Sequence, residues 1–396
     1  MSELLAPAGD IDKLEYAAAY GADAVYFGMK DFSLRSYAGN FSIEDASKGI
    51  SLLHKKGKKA YVTLNIYPNS LEYDQLIILA KELEELKVDA FIVSDLGVIN
   101  EIKKTGIKTS LHVSTQANTL SYQTALAYKE LGVKRVNLAR ELSFDDIKVI
   151  QQALKGSVET EVFIHGAVCF SYSGRCAISD YMTGRKANRG ECTHPCRWKY
   201  NVVEETRPNE YYPVFEDERG LYLFNNKDLA LFPYIKPLME LGVDSFKIEG
   251  RMKTIHYIAS VVSLYRRVMD GDTLSEKDCL ALLSRVSNRG YSYGFMKGGI
   301  TPDDYSQEEN KQRFNSIFVA NYSSSTKDTT VLRVRNKILA GQELELLSPD
   351  GKISKLIMPN PLIKKDGTTC SVVQNEDEII LKVKLPEYCI LRKINE

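Results

Sequence analysis

Outside one stretch the chain is almost without cysteine: of seven thiols in 396 residues, only Cys279, Cys370 and Cys389 lie beyond positions 169–196. That scarcity, with the odd total, excludes a disulfide framework as the basis of the fold. A surplus of either charge is also missing, Lys+Arg 52 against Asp+Glu 52. No overall field therefore selects a nucleic acid or a membrane, and a charged partner must be met by a local patch. No apolar run reaches the roughly 18 residues of a membrane span. MSELLAPAGD opens directly on an apolar strand, without the basic start of a leader peptide. These absences point to the cytoplasm, where thiols stay reduced. The sequence also contains no HExxH and no GxSxG to support a metalloprotease or a serine hydrolase.

What is present is an ordinary globular composition, 44% hydrophobic and 26% charged, on a chain too long for one core. A weak repeat supplies the architecture. AAAYGADAVYFG (17–28), LEELKVDAFIVSD (83–95), KELGVKRVNLARE (129–141) and MELGVDSFKIEGR (239–251) each run from a helix end, usually a glycine, into a short β-rich segment closing on polar residues. Gly21, Gly132 and Gly242 suit the left-handed position that ends a helix. Four further strands are expected in SELLAPA, KAYVTLNIY, KTSLHVSTQ and TEVFIHG, with amphipathic helices between. Eight strands before residue 252 predict an α/β fold, a closed (β/α)8 TIM-like barrel over residues 1–300. Its alternative is an open doubly wound sheet. Residues 301–312 read as a linker, and residues 313–396, rich in short strands and turns, as a small C-terminal all-β barrel.

Barrels of this kind carry their sites at the C-terminal strand ends. The polar residues closing each run are Asn65, Asp95, His112, Gln116, Arg140, Glu141, His165, Lys247, Glu249 and Arg251. His165, Lys247, Glu249 and Arg251 are the catalytic candidates; His112, Gln116, Arg140 and Glu141 are the substrate-binding ones. For any one of them, capping a helix or pairing with a neighbour is the competing account. TEVFIHG leads straight into the thiols, so Cys169, Cys176, Cys192 and Cys196 should sit on a long insertion, about 167–226, at the top of the seventh strand.

The spacing C-x6-C-x15-C-x3-C suits a metal centre better than a single nucleophile. Only Cys192 and Cys196 have the tight separation of zinc knuckles, whereas a cubane iron-sulfur cluster tolerates looser spacing. Spacing alone leaves both open, with His165 or His194 able to replace a thiol. Within the same insertion, Arg175, Arg185, Lys186, Arg189, Arg197 and Lys199 interleave with Tyr172, Tyr181, Tyr200 and the chain's single tryptophan, Trp198. Phosphates need the cations and an unstacked base needs a flat side chain, so Arg185, Lys186, Arg189 and Trp198 are the RNA-binding candidates. A solvated loop with core aromatics is the plainer account.

EVFIHGAVCFSYSGRCAISDY, NRGECTHPCRWKY, NNKDLALFPYI, GVDSFKIEGRMK and SNRGYSYGF together resemble the peptidase U32 family, the collagenase-like proteases, over nearly the whole chain. RPNEYYPVFEDERGLYLFNNKDL is most similar to the branch that hydroxylates tRNA wobble uridine. The resemblance implies a barrel-like fold, a 4Fe-4S cluster held by insertion cysteines, tRNA as partner and prephenate-dependent formation of 5-hydroxyuridine. Some relatives carry a cysteine directly after K-D-L. Ala230 stands there in this chain, which leaves Cys169, Cys176, Cys192 and Cys196 as the implied ligand set. Prephenate is a dicarboxylate, and Arg140, Lys247 and Arg251 are the cations expected to meet it. A U32-type peptidase and a zinc-stapled RNA-binding module are the rival readings.

Overall fold

The computed structural model describes residues 2–30, 32, 40–169, 171, 176–185, 191–198, 215–217, 220–222, 226–299, 304 and 314–394. Its contacts divide the chain into two units. The first comprises Met1–Glu15, Asp23–Met252 and Arg289–Gln312; the second comprises Tyr16–Ala22, Lys253–Asn288 and Arg313–Glu396.

All eight expected strands form in the first unit. They are β1 (Glu3–Pro7), β2 (Ala24–Gly28), β3 (Lys59–Leu64), β4 (Ala90–Val93), β5 (Ser110–Val113), β6 (Arg135–Asn137), β7 (Glu159–Gly166) and β8 (Ser245–Ile248). Each pairs in parallel with the next, and β8 pairs with β1 on one side and β7 on the other, which closes the barrel. The runs are buried on both faces, because neighbouring strands, the barrel interior and an outer ring of helices leave no solvent side. Leu5, Ala24, Tyr26, Tyr61, Ala90 and Ile92 form an interior cluster at alternating positions of their strands. Helix ends are set as the sequence demands: Gly132 and Gly242 hold φ of 83° and 85°, and Ser42 and Ser143 cap helices Ile43–Lys55 and Phe144–Leu154 with full capping boxes.

Two details place the site. Pairing of β7 with β8 shifts register between Lys247 and Ile248, which face Phe163 and His165. Such an irregularity re-aims the side chains beyond it. Gly166, at the end of β7, holds φ of 114°, and a Cβ there would lie 2.6 Å from the Glu249 carbonyl oxygen. Only glycine permits that approach. A short strand, Asp228–Ala230, then returns antiparallel along the end of β7 and pairs in parallel with Tyr291–Ser292.

The second unit differs from the expected boundary near residue 300. Helices Ile255–Met269 and Glu276–Leu283 group with the C-terminal strands. The reason lies in their polar contacts: Arg392, 1% exposed, bonds Glu345 through Nε at 2.6 Å and reaches Ser260 and His256 from Nη1 at 3.3 and 3.4 Å. The Tyr20 hydroxyl donates to the carbonyls of Leu347 and Tyr388, both at 3.0 Å. The main sheet here is six-stranded and antiparallel, bounded by Ile353–Ile357 and Glu378–Leu381, with no ladder joining those edges among the described residues. With the two-stranded ladders Ile338–Leu339 with Val372–Val373 and Leu362–Ile363 with Thr369–Cys370, it makes the small all-β C-terminal domain that the short strands predict. Cys279 and Cys389 are buried and Cys370 is half-buried, and burial pushes the first two up to about 11 and about 12. Among the described residues no helix is long and apolar enough to cross a membrane.

Candidate active site

The barrel interior is crossed by a band of charge. Arg135 on β6 pairs with Glu3 at 2.6 Å and with Glu159 at 2.8 Å, and it lies 3.5 Å from Glu161. Glu161 on β7 also receives the Lys247 ammonium at 2.8 Å, the Asn137 amide at 2.6 Å and the Ser245 hydroxyl at 3.1 Å. The Tyr61 hydroxyl donates to Glu3 at 2.7 Å. Burial alone would raise the Glu161 carboxyl, but the Lys247 and Arg135 charges outweigh it and hold the group at about 2. Burial likewise opposes the Arg135 charge, and the carboxylates of Glu161 and Glu3 more than restore it.

Lys247 therefore belongs to the floor of the site. It is 4% exposed, with its ammonium 4.6 Å from the Tyr26 ring centroid and 5.3 Å from that of Phe163. His112, another expected mouth residue, is also inside the barrel, edge-on to Tyr61 with ring centroids 4.8 Å apart. Burial, reinforced by the Arg135 charge, pushes its pKa well below the ordinary histidine value, so it is neutral. Among the described residues its Nδ1 has no hydrogen-bond partner.

Above this floor the other candidates ring the mouth. Arg251 is 4% exposed and donates to the Thr63 hydroxyl at 3.1 Å. The Glu249 carboxylate is 3.5 Å from the Tyr26 hydroxyl, which donates at 3.0 Å to the Ile248 carbonyl. His165 is buried, its ring centroid 5.6 Å from that of Tyr291. Gln116 accepts from Ser94 at 3.0 Å, and its carbonyl accepts from Tyr67 at 2.8 Å. Arg140 donates to the Ala167 carbonyl at 3.0 Å and stacks its guanidinium 4.0 Å from the Phe163 centroid. Glu141 beside it is half-buried. Asp95 caps helix Leu96–Thr105, which is the plainer role foreseen for such residues.

Cys169 lies three residues past β7 and is exposed; Cys176, Cys192 and Cys196 are half-buried, and none of the four is in a disulfide. A hydroxyl clasp joins two parts of the insertion. Ser179, fully buried on helix Ile178–Thr183, accepts from the Thr193 amide at 3.1 Å and contacts the Thr193 hydroxyl at 3.2 Å. Thr183 reaches the same hydroxyl at 3.3 Å. The turn so held carries Cys192, whose sulfur accepts from the His194 amide at 3.4 Å, and the one-turn helix Pro195–Arg197 containing Cys196. As a donor set, four reduced thiols with an amide directed at one sulfur suit an iron-sulfur cluster. As placed, no group of three or more His, Cys, Asp or Glu side chains among the described residues is gathered to hold a metal. Trp198 and Tyr181 are 39% and 89% exposed and Arg185 is exposed, while Lys186 and Arg189 lie outside the described residues.

Glu3, Tyr61, Arg135, Asn137 and Glu161 escape a reading that looks only at strand ends. Their signal is nonetheless in the sequence: Arg135 and Glu161 are charges at inward positions of strands that are otherwise apolar, a pattern that needs paired partners.

A closed parallel barrel with a polar mouth, a charged floor and a cysteine-bearing insertion after the seventh strand defines an enzyme of the (β/α)8 class. The chain belongs to peptidase family U32: residues 9–304 match the family and residues 311–392 match its C-terminal domain. It is 36% identical to tRNA hydroxylation protein P of Escherichia coli (strain K12), over 89% of this chain and 87% of that protein. To tRNA hydroxylation protein P1 of Bacillus subtilis (strain 168) it is 38% identical, over 88% of this chain and 84% of that one. A collagenase of Porphyromonas gingivalis (strain ATCC BAA-308 / W83) is 32% identical over 75% of this chain and 73% of its own length.

Proposed function

We propose that this chain hydroxylates tRNA, converting the wobble uridine to 5-hydroxyuridine with prephenate as co-substrate and a 4Fe-4S cluster on Cys169, Cys176, Cys192 and Cys196. The observation that carries the reading is the pair of relatives named tRNA hydroxylation proteins, similar over nearly nine tenths of the chain. The insertion supports it, with aromatic Trp198 and Tyr181 and the cation Arg185 all exposed. Those side chains suit an unpaired base and its phosphates.

The chain's own residues would divide the work by depth. Arg251, fixed by Thr63, offers a buried cation to a carboxylate of the co-substrate. Glu161 neutralises Lys247 from below, so the floor adds no surplus charge. When bound, the cluster supplies electron transfer or an iron site for an oxygen-bearing ligand.

The collagenase relative favours a second reading, a peptidase. Nucleoside mass spectrometry of tRNA from cells lacking the protein separates the two. Loss of 5-hydroxyuridine, restored by the wild-type chain, supports hydroxylation. An unchanged nucleoside profile together with collagen or peptide cleavage by purified protein overturns it.

A further inference from the structure

The sequence places Arg140 among the cations expected to meet a dicarboxylate, yet in the structure its guanidinium is already engaged. Arg140 rises from a firmly held segment. Past β6 the Leu138 amide donates to the Glu161 carbonyl at 2.8 Å, and the Ala139 amide to the Thr119 carbonyl at 3.0 Å. From there the guanidinium lies against the Phe163 ring of β7, 4.0 Å from its centroid, and Nη1 donates to the Ala167 carbonyl at 3.0 Å. Its Nε has no partner among the described residues, so the pose is set by the ring and the carbonyl.

Ala167 is the second residue before Cys169. The same short exit from β7 is fixed from its other side by β8 and the residues that follow it. The Glu249 amide donates to the His165 carbonyl at 2.9 Å, and Gly166 passes the Glu249 carbonyl too closely for any side chain. Arg140 closes the second side. Of the four insertion thiols Cys169 is the exposed one. A thiol in that setting takes its place from the backbone leading to it more than from packing around its sulfur.

We propose that Arg140 is a positioning residue for the iron-sulfur cluster. It holds the arm on which Cys169 would meet iron, and it keeps a cation beside a ligand set that becomes more negative on reduction. Arginine suits both tasks, because a planar guanidinium stacks on a ring while it donates in its own plane, which an ammonium cannot do. The proposal rests on the cluster reading above and adds what anchors its first ligand to the barrel.

The test uses the full chain, purified without oxygen, as wild type, Arg140→Met, Arg140→Lys and Phe163→Leu. Iron release to bathophenanthroline is timed by absorbance, and the midpoint potential of the cluster is read by EPR-monitored redox titration. Arg140→Met should release iron about fivefold faster than the wild type, the worth of one net hydrogen bond. Its potential should also fall, because the net charge around the cluster helps to set it. Arg140→Lys should release iron as quickly as Arg140→Met but hold the wild-type potential, since the charge stays while the fork and the stack are lost. Phe163→Leu keeps the arginine and removes the ring, and should quicken release by about twofold to fivefold. If Arg140→Met does not fold, the other two variants decide.

Wild-type release and potential in the Arg140 variants overturn the proposal. So does a raised KM for prephenate with iron release unchanged, which would return Arg140 to substrate binding. Wild-type protein that carries no iron-sulfur cluster removes the cluster reading itself, and this role of Arg140 with it.

Discussion

Lys247 and Glu161 face each other across adjoining barrel strands, 2.8 Å apart, with side chains only 5% and 3% exposed. A pair so far from water is sustained by its surroundings more than by its own attraction, since both ions lost hydration on folding. Asn137 shares the same carboxylate oxygen as Lys247, and Ser245 and Arg135 hold the other.

Glu161→Gln would leave Lys247 and Arg135 without their shared counter-charge, at an expected cost of about 3–5 kcal/mol in stability. Adding Lys247→Met should recover part of that loss, because it removes the cation left stranded, whereas Arg135 keeps Glu3 and Glu159. Denaturant unfolding of both variants measures it, and equal or greater loss in the double variant would mean that Glu161 acts mainly through Arg135.

The seven thiols should separate into two groups. Anaerobically purified protein is expected to contain about four iron and four sulfide per chain, and alanine at Cys169, Cys176, Cys192 or Cys196 should abolish both, and tRNA hydroxylation with them. Alanine at Cys279, Cys370 or Cys389 should lower stability only, by about 1 kcal/mol. Stoichiometric zinc without sulfide in the wild type would replace the cluster by a zinc site.

The Ser179–Thr193 clasp should govern how tightly the thiols of its turn are held. Ser179→Ala removes the acceptor of the Thr193 amide, and alkylation of Cys192 and Cys196 in iron-free protein should quicken by about fivefold, the worth of one net hydrogen bond. Unchanged alkylation rates, read by mass spectrometry, would place the constraint elsewhere in the insertion.

Acid should weaken the second unit through His256. Burial, with the Arg392 charge adding to it, lowers this histidine from 6.5 to about 3. The unfolded chain binds a proton there first, so the contribution is complete above pH 6.5 and is lost as pH falls toward 3. Between those limits one such proton changes stability by about 1.4 kcal/mol per pH unit. His256→Gln should flatten that part of the stability profile, measured by denaturation at a series of pH values.

Affinity for tRNA should fall with added salt, because phosphate contacts release counterions. Arg185→Ala is expected to reduce the slope of log affinity against log salt by about one unit. An unchanged slope would move the phosphate contacts away from the insertion.

The barrel was legible because helix–glycine–strand recurs with little variation, and a buried parallel strand announces itself as a continuous apolar run. Position along the strand was harder to read. Lys247 and Arg251 look equivalent in FKIEGR, yet the first lies within β8, paired below the mouth, and the second lies beyond its end, bonded to Thr63. Register with β7 decides this, and register depends on pairing across distant sequence. Arg135 and Glu161 went unread as a pair for the same reason, since nothing local in either strand names its partner. The pairing of Asp228–Ala230 with both β7 and Tyr291–Ser292 likewise joins separated segments that meet only after the chain has returned along β7.

The second unit is gathered from three separate lengths of chain, and this bears on how such a protein can be inherited and exchanged. A cut near residue 300, where composition suggests a seam, would take away Leu347 and Tyr388, both acceptors of the Tyr20 hydroxyl, and Arg392, the partner of Ser260 and His256. Recombination at that point would pass on a fragment with severed tyrosine and histidine contacts. A C-terminal sheet exchanged there must therefore bring its own acceptors for Tyr20 and its own partner for Ser260 and His256, and in this chain Leu347, Tyr388 and Arg392 all lie within residues 311–392, the span of the C-terminal family domain.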